Sequence, residues 1–197
     1  AARSEKAAKE ALSLISVEYE LLKPVLSLSE AMDPKAPVLH EDMFTSGYEN
    51  EPDKPSNIAT RAEMKMGDVE EGFRVADLIV EREFKTPTAH QGYIEPHACT
   101  AKYDESGQSM IWCCTQGHYD VRTSTSKLLG IKLSNLNVIA SEIGGGFGGK
   151  TVVYQEPVAL ALSKKSGRPV KMVMDRSEVF IATGPTSATS LRAKVGV

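Results

Sequence analysis

Cysteine is scarce in this chain of 197 residues: Cys99, Cys113 and Cys114 are its only thiols. An odd number with two adjacent fits neither a disulfide framework nor the paired CxxC spacing of zinc sites. Neighbouring strand residues point to opposite faces, so Cys113 and Cys114 are not expected to act together. Buried, inert thiols in a reducing compartment, the cytoplasm, are the expectation. Basic excess is also lacking. The net charge of −3 argues against a nucleic-acid partner, which needs a basic face. No apolar run approaches the roughly 20 residues that span a bilayer. No signal peptide or twin-arginine stretch opens the chain, so no membrane partner is expected. The opening AARSEKAAKEAL begins without methionine and reads as cut from something longer.

What is present is a soluble composition, 41% apolar and 25% charged, sized for one or two domains with a sizeable core. Its most unusual stretch is SEIGGGFGGKT, Ser141 to Thr151, in which five of the seven residues from Gly144 to Lys150 are glycine. Glycine there costs backbone entropy, and the usual return is close approach of backbone to something else. A ligand with anionic groups is the natural partner for a row of bare N–H donors. A β-rich run precedes the glycines and a helical pattern follows, giving strand, glycine loop and helix in order. Read literally, GGGFGGKT satisfies the phosphate-cradling GxxxxGK[ST]. Lys150 and Thr151 would then meet phosphates and magnesium, with Asp175 at the end of VKMVMD as a second magnesium-holding group. Against that, Pro157 favours a helix that begins nearer Glu156 than the GKT itself. A glycine-rich bend that only lets two elements pack closely is the third possibility.

The remaining pattern is mixed. Ser4 to Ile15 predicts a helix capped by Ser4, and VEYELL then reads as a strand. Residues 24–60 are rich in proline, acid and small polar residues and read as a long connection. His40 lies in it as a solvated loop histidine. Ala62 to Met66 is strand-like, and Asp68 caps a helix through Ala76. Asp77 to Phe84 reads as a strand. Thr100–Tyr103 and Met110–Thr115 form a hairpin around ESG. A helix from Asp120 stops at Gly130, a strand runs from Leu136 to Ile143, and a helix from Pro157 stops at Gly167. VKMVM and Ser187 to Val197 supply two more strands. Helices and strands interleaved with hairpins make the fold class α+β, with mixed sheets.

Three further features invite chemistry. Gln116 ends the strand SMIWCCT, where an uncharged amide can donate to an oxo group and accept from a hydroxyl at once; a turn glutamine capping the next helix is the plainer alternative. His90, Glu95 and His97 in HQGYIEPH match no zinc spacing, and a polar turn holding the loop competes with a metal site. Lys150 can neutralise an anion or form a surface pair.

Taken together and in order, HQGYIEPHACTA, CCTQG, EIGGGFGGK, SGRPVKMVMDRSEVF and TGPTS carry a resemblance over nearly the whole chain. It resembles the molybdenum-binding large subunit of the xanthine dehydrogenase/aldehyde oxidase family of molybdenum hydroxylases, and GDVEEGFRVADLIVEREF matches the segment that opens the family's cofactor-binding region. The resemblance implies a molybdenum–pterin cofactor, either molybdopterin or its cytosine dinucleotide form. It implies oxidative hydroxylation of an aldehyde, N-heterocycle or related small molecule with water as oxygen source. It places Gln116 beside the molybdenum ligands and Gly145, Gly146, Phe147, Gly148 and Gly149 along the metal and pterin site. Gln116 and Phe147 are the residues nearest the chemistry, and no side chain here is expected to ligate the metal. Phe147 would wall a planar substrate.

Two departures follow from the same resemblance. Purine-oxidising relatives carry glutamate directly after GGFGGK, where this chain has Thr151. The family's catalytic glutamate, its general base, belongs to a C-terminal segment beyond Val197, so the piece alone is expected to be inactive. Residues 1–23 resemble the tail of a preceding small α/β domain, 24–60 the connection, and 61–197 the N-terminal part of the molybdopterin-binding domain. The implied partners are the remainder of the molybdenum subunit, an iron–sulfur unit and a unit carrying FAD, consistent with the lack of cluster-type cysteine spacing here.

Overall fold

A computed structural model describes residues 2–50 and 52–197; residues 1 and 51, within the opening stretch and the predicted connection, lie outside the described residues. The chain divides into two compact units, Ala1–Ile79 with Gly196–Val197 and Val80–Val195. The smaller unit holds three short helices: α1 (Glu5–Leu12), α2 (Leu28–Ala31) and α3 (Val69–Val75). Each is started by a side-chain cap. The oxygens of Ser4, Ser27 and Asp68 accept from the backbone N–H groups of Ala7, Glu30 and Glu71. None of the three buries a residue. VEYELL and Ala62–Met66 do not form strands. A strand needs a partner to satisfy its backbone groups, and here Leu21 and Leu22 are 92% and 77% exposed with no partner strand alongside among the described residues.

The larger unit begins in β1 (Ile79–Thr86) and continues through β2 (Ala98–Lys102), β3 (Ser109–Cys113), α4 (His118–Leu129) and β4 (Leu136–Ala140). It then runs through α5 (Glu156–Ser166), β5 (Val170–Val173), α6 (Arg176–Ala182) and β6 (Thr189–Gly196). β1 pairs with β6 in a two-stranded ribbon. The other four strands form one mixed sheet in the order β4-β3-β2-β5. β2 lies antiparallel to both β3 and β5, whereas β3 and β4 are parallel. That parallel pair needs a crossover, which α4 supplies. The α+β reading with mixed sheets therefore holds.

Alternation along the strands sets the core. Cys99 and Ala101 of β2, Ile111 and Cys113 of β3, and Leu136 and Val138 of β4 turn to one buried face. Val121 of α4 and Ala159 and Leu160 of α5 close over it, each fully buried. Both helices stop where predicted, at Gly130 (φ 64°) and Gly167 (φ 66°), left-handed caps whose N–H groups donate to the carbonyls of Ser126 and Ser163. Helix α6 was not expected from the sequence, although Asp175 and Glu178 form a reciprocal capping box at its start.

All three thiols are free and buried, as expected. Cys113 faces the core, while the Cys114 sulfur lies against the N–H of Ala98. Burial first, and the charge of Glu156 second, push Cys99 and Cys113 up to about 12. No helix among the described residues is long and apolar enough to cross a membrane. Truncating Leu160 to alanine removes a fully buried side chain from the α5–sheet interface and should cost about 2–5 kcal/mol of unfolding free energy. A shift of the urea midpoint with unchanged slope would measure it.

Candidate functional site

Sheet topology gathers distant segments at one edge. Cys113 of β3 sits opposite Ala140 of β4, so both strands leave the sheet side by side. β2 runs the other way and enters at that same edge through Ala98, and β5 ends there, Val173 opposite Ala98. Residues 90–97, 114–117, 141–151 and 174–183 are therefore neighbours. Open α/β sheets bind ligands at such strand ends.

Gln116 follows β3, and the glycine stretch follows β4. The N–H of Gln116 donates to the Lys150 carbonyl (2.8 Å), which also receives the Thr115 hydroxyl (3.0 Å). In return, the Gln116 side-chain oxygen Oε1 accepts the N–H groups of Gly148 (3.1 Å) and Lys150 (3.2 Å). Two N–H donors can face only the oxygen of an amide, so this contact fixes the side chain's orientation. The amide nitrogen has no hydrogen-bond partner among the described residues, and the residue is exposed. The expectation that Gln116 donates and accepts at once is thereby narrowed: its oxygen is engaged inside the chain, and the outward half is a donor. It does not cap α4, whose N-terminus has no side-chain cap.

The glycines do two different jobs. A Cβ on Gly146 would stand 2.4 Å from Oε1 of Gln116, one on Gly144 2.8 Å from the Glu95 side chain, and one on Gly149 2.8 Å from the Tyr93 ring. These three let the loop lie directly on protein side chains, as the close-packing possibility requires. Gly148 differs. Its φ of +86° favours glycine, yet a Cβ there would meet nothing within 4 Å. Phe147 beside it also has positive φ (51°) and is 73% exposed. The N–H groups of Gly145, Gly146 and Phe147 make no hydrogen bond among the described residues. The apex of the loop thus offers bare donors, an open direction at Gly148, the Gln116 amide nitrogen and an uncovered aromatic ring. Bare donors fit a ligand with electronegative groups, as a molybdenum–pterin group has, and the exposed ring of Phe147 fits a planar molecule lying beside it.

Beneath the loop, Glu95 Oε2 accepts from Gly144 N–H (2.8 Å) and from Lys150 Nζ (2.6 Å). Burial pushes the Glu95 carboxyl up, but the Lys150 and Gly144 bonds outweigh it and hold the group below the ordinary carboxylate range. Lys150 is 1% exposed, with its ammonium 4.8 Å from the Tyr93 ring centre. The Tyr93 hydroxyl meets His97 Nε2 at 2.7 Å. Burial and then the Lys150 charge push buried His97 down to about 4. His90 accepts from Gly92 N–H through Nδ1 and meets Thr183 through Nε2. No metal-ligating cluster exists among the described residues. HQGYIEPH is thus a turn that holds the loop, the competing reading given above.

The phosphate-loop alternative is overturned by the same geometry. Lys150 is buried and paired, the Thr151 hydroxyl donates to Gly148 O, α5 starts at Glu156, and Asp175 caps α6.

His97 carries a pH signature. Its folded value lies below the ordinary 6.5, so the unfolded chain binds more protons and the contribution is present above pH 6.5. It is lost as pH falls from 6.5 towards about 4, with Glu95 adding a further loss below the ordinary carboxylate range. Urea unfolding at successive pH values should show this decline, and His97→Gln should flatten its upper part.

Residues 50–197 match the family described as the molybdopterin cofactor-binding domain. The probable hypoxanthine oxidase of Escherichia coli (strain K12) is 34% identical over 99% of this chain and 23% of its own length. Among solved structures, CO dehydrogenase from Oligotropha carboxidovorans superposes with a TM-score of 0.70 at 33% identity, over 90% of this chain and 22% of that one. Aldehyde oxidoreductase from Desulfovibrio gigas superposes with a TM-score of 0.79 over 99% and 20%, and at 22% identity it speaks for the fold alone. The chain spans less than a quarter of the length of these three relatives. With three quarters of its residues inside the matched region, this chain belongs to the molybdopterin cofactor-binding domain family.

Proposed function

We propose that this chain forms one wall of the molybdenum–pterin site in the catalytic subunit of a molybdenum hydroxylase. The reaction is oxidative hydroxylation of an aldehyde, N-heterocycle or related compound, with water as oxygen source. One observation carries the reading: Gln116 Oε1 is captured by the N–H groups of Gly148 and Lys150, which leaves its amide nitrogen beside the bare apex of the glycine loop.

In this reading Gln116, Gly145, Gly146, Phe147, Gly148 and Gly149 hold the cofactor, and the cofactor supplies the redox chemistry when bound. The residues of this chain position and polarise. Gln116 donates to an electronegative group without accepting from it. The free N–H groups of Gly145 to Phe147 add donors fixed before the reaction, a preorganisation worth more in a dry site than in water. Phe147 presents a ring to a planar substrate and excludes water from that side. Glu95, the carboxylate bonded into the loop, is held by Lys150 and Gly144 and is not free to act as a general base. In this reading the base would come from the remainder of the subunit, as the family resemblance implies. The segment alone is then inactive. Thr151, whose hydroxyl turns back onto Gly148 O, is not a carboxylate, so the purine-reading contact is not supplied at this position.

The same reading assigns residues 1–23 to the tail of a preceding domain, 24–60 to a connection and 61–197 to the molybdopterin-binding domain. Its partners are the rest of the subunit and units bearing iron–sulfur clusters and FAD, in the cytoplasm. Three free buried thiols support a reducing compartment.

Molybdenum content of the longer subunit, purified with its partner units, tests this. Wild type should hold close to one molybdenum per subunit. Gly148→Leu should lose most of it, because the new side chain enters the open direction where the cofactor would lie. Gly167→Leu is the control: φ is +66° and a Cβ meets nothing, so the backbone strain is similar but the site is untouched. Equal loss in both variants, or a metal-free wild type that retains nucleotide, would sink the proposal.

A further inference from the structure

Glu95 and Lys150 lie outside the cofactor contacts, yet their placement bears on all of them. A single oxygen, Glu95 Oε2, accepts from Gly144 at the start of the glycine loop and from the Lys150 ammonium at its end. The seven-residue loop is thereby closed into a ring. Glu95 N–H also reaches back to the Gly144 carbonyl (3.4 Å). Its own position is fixed from α6, where Arg176 donates to the carbonyls of Tyr93 (3.0 Å) and Ile94. Lys150 then ties the ring to Gln116 through its backbone, N–H to Oε1 and carbonyl from Gln116 N–H.

A buried lysine at a glycine-rich turn is an expensive choice if the ring needs only to be compact, since an apolar residue fills space without desolvating a charge. A charge pair does something an apolar contact does not: it fixes distance and direction at both ends of the loop together. We propose that Glu95 and Lys150 are positioning residues, an ionic staple that holds the glycine loop in the register that pins Gln116 as an outward-facing donor. This rests on the reading of the loop as a cofactor wall.

The test separates positioning from bulk stability. Removing either partner alone strands the other: Glu95→Leu leaves a buried ammonium, and Lys150→Met leaves a carboxylate on the loop. Both single variants should unfold at lower urea than wild type. The double variant Glu95→Leu/Lys150→Met carries no stranded charge and should recover most of the urea midpoint. A staple predicts that the loop does not recover with it. In the double variant of the full chain, hydrogen exchange at Gly148 and Lys150, whose N–H groups bond Gln116 and not Glu95, should be on the order of tenfold faster than in wild type. Exchange at Ala101 and Ile111, in the sheet, should be unchanged. The two side-chain N–H resonances of Gln116 should shift towards the values of a freely rotating amide. Loop exchange that returns to wild type in the double variant overturns the proposal. So does a rise that the loop and the sheet share, which would make the pair merely stabilising.

Molybdenum content is the second readout. In the longer subunit the double variant should lose molybdenum, and full retention with a loosened loop would also overturn the positioning role. A wild-type subunit without molybdenum would instead fail the cofactor reading, and loop exchange would still decide the staple.

Discussion

The parallel ladder between β3 and β4 places Cys113 opposite Ala140, and from that pair the chain leaves the sheet twice at one edge. The first exit leads to Gln116 and the second to the glycine loop. Parallel strands cannot be joined by a tight turn, so residues 114–135 must cross over through α4 before β4 can pair. The crossover is held by burial of Val121 against the sheet, and the site inherits its geometry from that packing. A hairpin in place of this crossover would have put the two segments at opposite ends of the sheet.

Lys150 is where the local contacts meet. Its side chain reaches Glu95, its N–H reaches Gln116 Oε1, and its carbonyl receives both Thr115 and the Gln116 backbone. Motif matching alone makes this residue a phosphate ligand, because GKT is the end of a familiar pattern. Burial decides otherwise. A lysine that is 1% exposed and bonded to a carboxylate at 2.6 Å has no ammonium left for a ligand. The same motif letters therefore produce an anion grip when the lysine faces solvent and a loop anchor when a glutamate lies beneath it.

What the sequence disclosed follows the range of the forces involved. Helix ends at Gly130 and Gly167, the Asp68 cap and the β2–β3 hairpin depend on neighbours a few residues away, and they were legible. VEYELL has strand composition but no partner strand, and composition carries no information about partners. Helix α6 could have been found from the Asp175–Glu178 spacing, whose reciprocal cap is local. Resemblance to a family pointed to Gln116 and the loop together. The physical reason for their association was out of reach, since it lies in a contact between residues 116 and 148 across a parallel pairing. Likewise, nothing local to HQGYIEPH says that Glu95 meets Lys150. A glycine run leaves open room for a ligand and room for close packing, and only the folded contacts show that three of these glycines accommodate Glu95, Gln116 and Tyr93.

The close packing of Gly146 on Gln116 explains why an exposed glutamine can be a precise donor. A free amide in water rotates, and its oxygen and nitrogen are sampled about equally by anything nearby. Here a flipped Gln116 would lose two hydrogen bonds and set its NH2 against two backbone donors. At about 1 kcal/mol for each neutral bond, the loss alone leaves the flipped state at a few per cent or less. Only glycine at 146 permits this, because any side chain would occupy the place of the amide oxygen. The loop therefore orders Gln116 before any ligand arrives, and the ordering is enforced by the protein's own backbone.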